Sequence, residues 1–215
     1  MDSLSRADSG IVTVSRKTSV HEQERATYMY YAEQDEVARQ TDEYVLANWV
    51  FAGAAAEIEY VKQKIGHLAF EYFPSAPSER MVLVARLMAL LYLIGESLVE
   101  LDLDDAEDYL GALDAAVKGH WAPDGNVPAV WMLAFTLDEM KGMDYVATEE
   151  VWSSSLSHLR ALLIKRGRAQ HRRDKYRIPA SLRLGYSLVD ALEPFAMAQC
   201  SDDDSFLLNR RANVN

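Results

Sequence analysis

The chain has 215 residues, with 22 Lys and Arg against 33 Asp and Glu, so its net charge is −11. This excess of negative charge argues against nonspecific nucleic-acid binding as the main task, because phosphate contacts need a surplus of cations. The single cysteine, Cys200, excludes an intramolecular disulfide and fits a reducing compartment. Residues 1–20 are polar and lack the apolar core of a secretory signal. No apolar run reaches the roughly 20 residues of a membrane span, so we expect a cytoplasmic protein.

The apolar pattern follows helical spacing along most of the chain, and no segment alternates as a strand does. We expect a disordered leader at residues 1–20, one helical domain at residues 21–200 and a flexible tail at residues 201–215. Long helices joined by short, proline-marked connections are typical of helical bundles. The predicted fold class is therefore all-α, an antiparallel helical bundle.

Helical character begins at His21, and Thr41–Phe73 carries apolar residues at three- and four-residue steps. This pattern predicts one long helix, or two helices joined near Gly53. Pro74 and Pro77 then end it. Ser78 is predicted to cap the amides of the next helix, with Glu79 in its first turn.

The later helices are also marked by their ends. We expect helices at Tyr109–Val117 and Ala129–Lys141, and a long one opened by Thr148 as its N-cap. That helix becomes strongly basic towards its end and stops at Pro179. A last short helix is predicted at 181–198, where Pro194 should interrupt or end it.

The segment Met81–Asp108 is the main candidate for a functional site, because an apolar helix leads directly into a cluster of acidic residues. Glu96 and Glu100 are four residues apart, so on a helix they lie one turn from each other on the same side. Two carboxylates so placed are suited to share a divalent cation. The alternative is an ordinary solvated acidic loop at the end of a buried helix.

A second charged segment, Lys165–Arg177, is strongly basic, in contrast to the acidic cluster. Carboxylates that hold a metal ion on one wall of a cavity, with arginines that bind phosphate on another, suit the ionisation of a diphosphate ester. An apolar cavity with aromatic walls then shields a carbocation from water. Tyr92, one turn before Glu96, is the aromatic residue expected on such a wall.

Three stretches, taken in order, resemble the class I terpene synthases of microbial and fungal type. They are Tyr72–Arg80 with the apolar helix into LLYLIGESLVE, Ala169–Pro179 (AQHRRDKYRIP), and Ser181–Met197 (SLRLGYSLVDALEPFAM). Together they cover roughly residues 44–198. The resemblance implies a terpene cyclase that ionises a prenyl diphosphate, of sesquiterpene type, with Mg²⁺ as cofactor and then cyclises the carbocation.

The resemblance also implies roles for particular residues. Tyr92 and Glu96 would be catalytic. Mg²⁺ would be bound by Glu96, Glu100, Asp104 and Asp105, and the diphosphate by Arg172, Arg173 and Arg183.

The chain departs from the family at several points. Gly95 and Glu96 stand where the family has its leading aspartate pair, and Arg183 lies one turn from the expected diphosphate-sensing arginine. The family's second metal motif would lie beyond the end of this sequence. We therefore expect a shortened relative of the fold, and a homodimer or a partner chain that supplies further helices stays open.

Two other interpretations stay open on the sequence alone. One is a catalytically inactive, shortened relative that serves as a helical partner or regulatory module. The other is a helical protein with no tie to the family. A working cyclase predicts that metal and diphosphate together stabilise the fold, whereas the other two predict no such linkage.

Overall fold

The computed structural model describes residues 20–120, 125–169 and 186–198. Side chains are described at 32–98, 100–120, 125–164 and 188–198. The chain divides into two compact units between Ala32 and Glu33. The core and the site described below lie in the unit that begins at Glu33. The expected leader and tail lie outside the described residues.

The described residues form helices and no strand, which confirms the all-α prediction. The eight described helices are α1 (Val20–Asn48), α2 (Ala54–Lys62), α3 (Ile65–Tyr72), α4 (Ser78–Glu100), α5 (Leu103–Val117), α6 (Pro128–Met143), α7 (Tyr145–Ala169) and α8 (Tyr186–Met197).

The segment predicted as one long helix or two is in fact three. α1 ends at Asn48, and Gly53 then adopts a φ of 139°, a conformation that glycine tolerates and other residues rarely adopt. Lys64 breaks the chain again with a left-handed φ of 50°. The apolar residues of the segment therefore do not share one face: Val45 and Tyr60 are buried, whereas Ala56 is exposed.

The core is built around α4, which packs against α3, α6, α7 and α8. From Met81 to Ile94 nearly every side chain of α4 is buried, which is why the run of apolar residues is not confined to one stripe. Ser78–Leu98 is long and apolar enough to cross a membrane, but 78% of its most apolar window is buried within the fold. Such burial is typical of a core helix, so it is weak evidence for a membrane span.

The predicted N-caps need correction. Pro77, not Ser78, occupies the N-cap of α4, without a side-chain cap bond, although Glu79 does lie in the first turn. Thr148 lies inside α7, which begins three residues earlier, and its hydroxyl donates to the Asp144 carbonyl at 2.6 Å. Asp144 caps this helix, since its carboxylate accepts from the Ala147 amide at 3.0 Å.

The ends of the remaining helices follow the sequence more closely. α5 contains the predicted Tyr109–Val117 but starts earlier, and α6 matches the predicted Ala129–Lys141 within two residues at each end. Pro128 opens α6, a position where its missing amide hydrogen costs nothing. Pro194 does not interrupt α8, which continues past it to Met197. The end predicted at Pro179 lies outside the described residues.

Candidate active site

A cavity of about 380 Å³ opens where the end of α1, the connection after it, α2 and α4 meet. This volume falls within the range of small-molecule pockets, about 300–1,000 Å³. Its lining combines aromatic and aliphatic side chains with three glutamates and one serine. The lining residues are Trp49, Val50, Phe51, Ala52, Ala56, Glu59, Tyr60, Tyr92, Leu93, Glu96, Ser97 and Glu100.

One face of α4 supplies the residues that the sequence had singled out. Tyr92, Glu96 and Glu100 follow one another at successive turns, and all three line the cavity. Tyr92 is buried, at 6% exposed, whereas Glu96 is half-buried and Glu100 is exposed. The face thus runs from an aromatic ring in the interior to a carboxylate at the mouth. The structure brings these residues together, while their catalytic and metal-binding roles stay predictions.

Asp104 and Asp105 lie apart from this face, because the acidic cluster is divided between two helices. α4 ends at Glu100, and Asp102 becomes the N-cap of α5 by accepting the Asp105 amide at 2.9 Å. Asp104 and Asp105 occupy the first turn of α5, where negative charge is favourable with the helix dipole. Within the described residues, no three His, Cys, Asp or Glu side chains are grouped so as to hold a metal ion. The carboxylates that share the cavity with Tyr92 are Glu96 and Glu100, together with Glu59 of α2.

The other aromatic walls were not predicted as part of a site. Trp49 and Phe51 come from the non-helical connection after α1, where helical periodicity gives no information. Tyr60 comes from α2, and its ring lies 5.7 Å from that of Phe51 between centroids. A signal was present in the sequence: Trp49, Phe51 and Tyr60 flank Gly53, the residue at which the helix was expected to break.

A hydrogen bond ties Tyr60 to the end of α1. Its hydroxyl donates to a carboxylate oxygen of Asp42 at 3.1 Å. Burial raises the pKa of the Tyr60 hydroxyl far above its usual range, and the negative charge of Asp42 raises it further. Burial also raises the pKa of Asp42, although the hydrogen bond from Tyr60 opposes this.

Gly95 points away from the cavity. It is buried, and a Cβ atom built on it would meet Leu162 Cδ1 of α7 at 3.4 Å. Residue 95, where the resemblance expects the family's first aspartate, therefore lies in the contact between α4 and α7. Glu96, the next residue, is the one that lines the cavity.

The three arginines predicted to bind diphosphate, Arg172, Arg173 and Arg183, lie outside the described residues. α7 is described as a helix as far as Ala169, so the start of the basic segment at Lys165 continues this helix. Their roles stay predictions.

The fold is that of the class I terpene cyclases. The crystal structure of aristolochene synthase from Penicillium roqueforti matches with a TM-score of 0.66 and 25% identity, over 84% of this chain and 62% of that one. In sequence, aristolochene synthase from the same organism is 26% identical over 171 residues, which are 80% of this chain and 50% of the relative. Aristolochene synthase from Aspergillus terreus is 24% identical over 59% of this chain and 40% of its own length.

These matches show homology between the chain and the fungal aristolochene synthases. No family model matches the chain. The chain spans about half the length of the relatives that it matches in sequence.

Proposed function

We propose that the protein is a sesquiterpene cyclase that ionises farnesyl diphosphate and cyclises the resulting carbocation. The observation that carries this proposal is the cavity in which Tyr92, Glu96 and Glu100 meet Trp49 and other aromatic residues. Homology to aristolochene synthases supports the substrate class. A cytoplasmic location is part of the same proposal.

The donors in the cavity fit a magnesium ion. Mg²⁺ usually keeps several waters and takes only one or two protein carboxylates together with oxygens of a phosphate substrate. Glu96 and Glu100 offer such a pair at successive turns of α4, with the more exposed carboxylate at the mouth. When bound there, the metal would supply positive charge to offset the negative charge of the departing diphosphate.

The cavity face of α4 changes from the buried Tyr92 ring to the exposed Glu100 carboxylate, and this change in polarity sets the orientation of the substrate. The diphosphate belongs at the mouth with Glu100, and the hydrocarbon chain belongs against Tyr92, Leu93 and Phe51. As the carbon–oxygen bond breaks, its electron pair leaves with the diphosphate and an allylic cation remains. The faces of the aromatic rings attract this positive charge, and the apolar walls keep water from it. Loss of a proton from the cyclised cation then gives a neutral hydrocarbon.

Thermal unfolding tests the metal and diphosphate site directly. The melting temperature is measured with Mg²⁺ alone, with inorganic diphosphate alone, and with both. Ligands at a hundred times their dissociation constant stabilise a fold by about 2.7 kcal/mol. For a chain of this size, that raises the melting temperature by about 5–11 °C. We expect this shift only when both ions are present.

Turnover tests the reaction. The protein is incubated with farnesyl diphosphate, or with geranylgeranyl diphosphate for comparison, and volatile products are identified by gas chromatography and mass spectrometry. Glu96→Gln should abolish turnover and the joint effect of the two ions, with helix content unchanged. Glu107→Gln is the matched control, since it removes one exposed carboxylate on α5 that does not line the cavity.

The outcomes separate the proposed interpretations. Retained turnover in Glu96→Gln would remove Glu96 from the mechanism. A wild-type protein with neither product nor joint stabilisation would leave the catalytically inactive relative as the explanation. Light scattering on the same samples tests whether the chain forms a homodimer, which the sequence left open beside a partner chain.

A further inference from the structure

Tyr60 links the cavity wall to α1, at a residue that does not itself line the cavity. Its hydroxyl reaches Asp42 of α1 at 3.1 Å, its ring lies 5.7 Å from Phe51, and it is itself part of the cavity lining. It is only 2% exposed, so it supports the wall from behind more than it projects into the cavity. Phe51 is half-buried and stands in front of it.

Tyr60 is also the anchor of α2. It is the buried residue of this nine-residue helix, whereas Ile58 and Val61 on either side are exposed. Both ends of the helix are set by unusual backbone conformations, Gly53 with φ of 139° and Lys64 with φ of 50°. α2 makes few contacts with the other described helices, so its place over the cavity depends on Tyr60, through both its buried ring and its bond to Asp42.

We propose that the hydrogen bond between Tyr60 and Asp42 positions Phe51 and α2, and thereby sets which prenyl chain length the cavity accepts. This inference deepens the proposed function and rests on it. Asp42 and Tyr60 are positioning residues, which act on the substrate through Phe51. A tyrosine hydroxyl keeps its proton at neutral pH, and burial raises the pKa of Tyr60 further, so the hydroxyl remains a donor to Asp42 there.

The test compares variants that break the bond with one that keeps it. Tyr60→Phe removes the hydroxyl but keeps the ring, and Asp42→Ala removes the acceptor. Asp42→Asn keeps an acceptor oxygen in nearly the same place and should restore wild-type behaviour. The readout is the ratio of kcat/KM for farnesyl diphosphate to that for geranylgeranyl diphosphate. If the change in the ratio is as large as the net contribution of one hydrogen bond, the ratio should change by about two- to tenfold.

Tyr44→Phe is the matched control. The Tyr44 hydroxyl also donates a hydrogen bond, to the Met132 carbonyl oxygen at 3.5 Å, but Tyr44 does not line the cavity. It should leave the ratio unchanged. If Tyr60 acts through Phe51, the effects of Phe51→Leu and Tyr60→Phe on the ratio should be non-additive in the double variant. All assays are run well below the unfolding temperature of the least stable variant.

The results for an active wild type are decisive in either direction. A shifted ratio in Tyr60→Phe and Asp42→Ala, with wild-type values in Asp42→Asn and Tyr44→Phe, supports the inference. An unchanged ratio, or an equal loss of activity on both substrates, overturns it.

An inactive wild type would refute the proposed function but not yet this inference. The inference is then tested by measuring the binding of farnesol by calorimetry, since farnesol carries the same prenyl chain without the diphosphate. Binding that is about two- to tenfold weaker in Tyr60→Phe and Asp42→Ala but not in Asp42→Asn supports a positioning role. Binding that does not depend on this pair, or no binding of farnesol to the wild type, overturns it.

Discussion

Gly66 is the position where the fold leaves least room for a side chain. A Cβ atom at this residue would lie 2.5 Å from the Ala38 Cα atom and 3.0 Å from its Cβ atom. Both residues are buried, and the nearest atom belongs to the backbone of α1, so it cannot rotate away as a side chain would. Gly66→Ala must therefore push α3 away from α1.

The cost follows from two opposing effects. Overpacking of a tight core contact costs about 1–3 kcal/mol, and more where the backbone itself must shift. The better helix propensity of alanine offsets at most about 1 kcal/mol of this. We expect a net loss of about 1–3 kcal/mol in the free energy of unfolding. This corresponds to a melting temperature lower by about 2–12 °C.

Gly111→Ala is the control of opposite sign. Gly111 is exposed within α5, and a Cβ atom there would meet nothing within 4 Å. The same substitution should stabilise the protein by about 0.5–1 kcal/mol. Urea unfolding followed by far-ultraviolet circular dichroism measures both variants. A Gly66→Ala protein as stable as Gly111→Ala would refute the close approach of α1 and α3.

Four further substitutions test the packing of α4, α5 and α7. Burial raises the pKa of Asp114, but the hydrogen bonds from Lys118 at 2.7 Å and from Trp152 at 3.0 Å outweigh it, so the pKa lies below its usual value. The ionised Asp114 carboxylate therefore stabilises the folded state at pH values above the aspartate pKa of the unfolded chain. This stabilisation is lost as the pH falls through the Asp114 pKa of the folded chain. Urea titrations should therefore find Asp114→Asn less stable than the wild type near pH 7, with a smaller difference below about pH 4. Trp152→Phe should cost about 2–3 kcal/mol at neutral pH, because it removes the hydrogen bond to Asp114 and part of a buried ring system. Gly95→Asp should cost about 3–5 kcal/mol, because it buries an unpaired carboxylate against Leu162, whereas Gly95→Ala should be nearly neutral in the same assay.

The central helix could be predicted from the sequence because its signals agree. Pro77 ends the preceding segment, and an apolar run long enough to be buried on all sides follows. Helical spacing alone then places Tyr92, Glu96 and Glu100 on one face, and all three line the same cavity. Their common face is a local property of one helix, so no tertiary information is needed to find it.

The acidic cluster was harder to predict, since the same residues can either bind a metal ion at the end of α4 or form the N-terminus of a new helix. Asp102 followed by Asp104 and Asp105 is a signature of a helix N-terminus, and it ends α4 and starts α5. The sequence analysis grouped these aspartates with the acidic end of the apolar helix, and their role as metal ligands, which the resemblance implies, stays a prediction. The aromatic wall from Trp49, Phe51 and Tyr60 depends on how α2 folds back over α4, and periodicity within one helix does not encode such a contact.

Residues 95 and 96 are Gly and Glu where the resemblance expects the family's leading aspartate pair, and the geometry of α4 gives these two positions different surroundings. Consecutive residues of an α-helix are about 100° apart, so Gly95 and Glu96 cannot point to the same place. Gly95 faces Leu162 in the interior, and Glu96 faces the cavity together with Tyr92 and Glu100. A rotation of α4 that brought residue 95 into the cavity would turn the Glu96 carboxylate out of it, by the same angle of about 100°. An aspartate at residue 95 would therefore add no carboxylate to the cavity, and Glu96 with Glu100 is the pair that the proposed metal site would use.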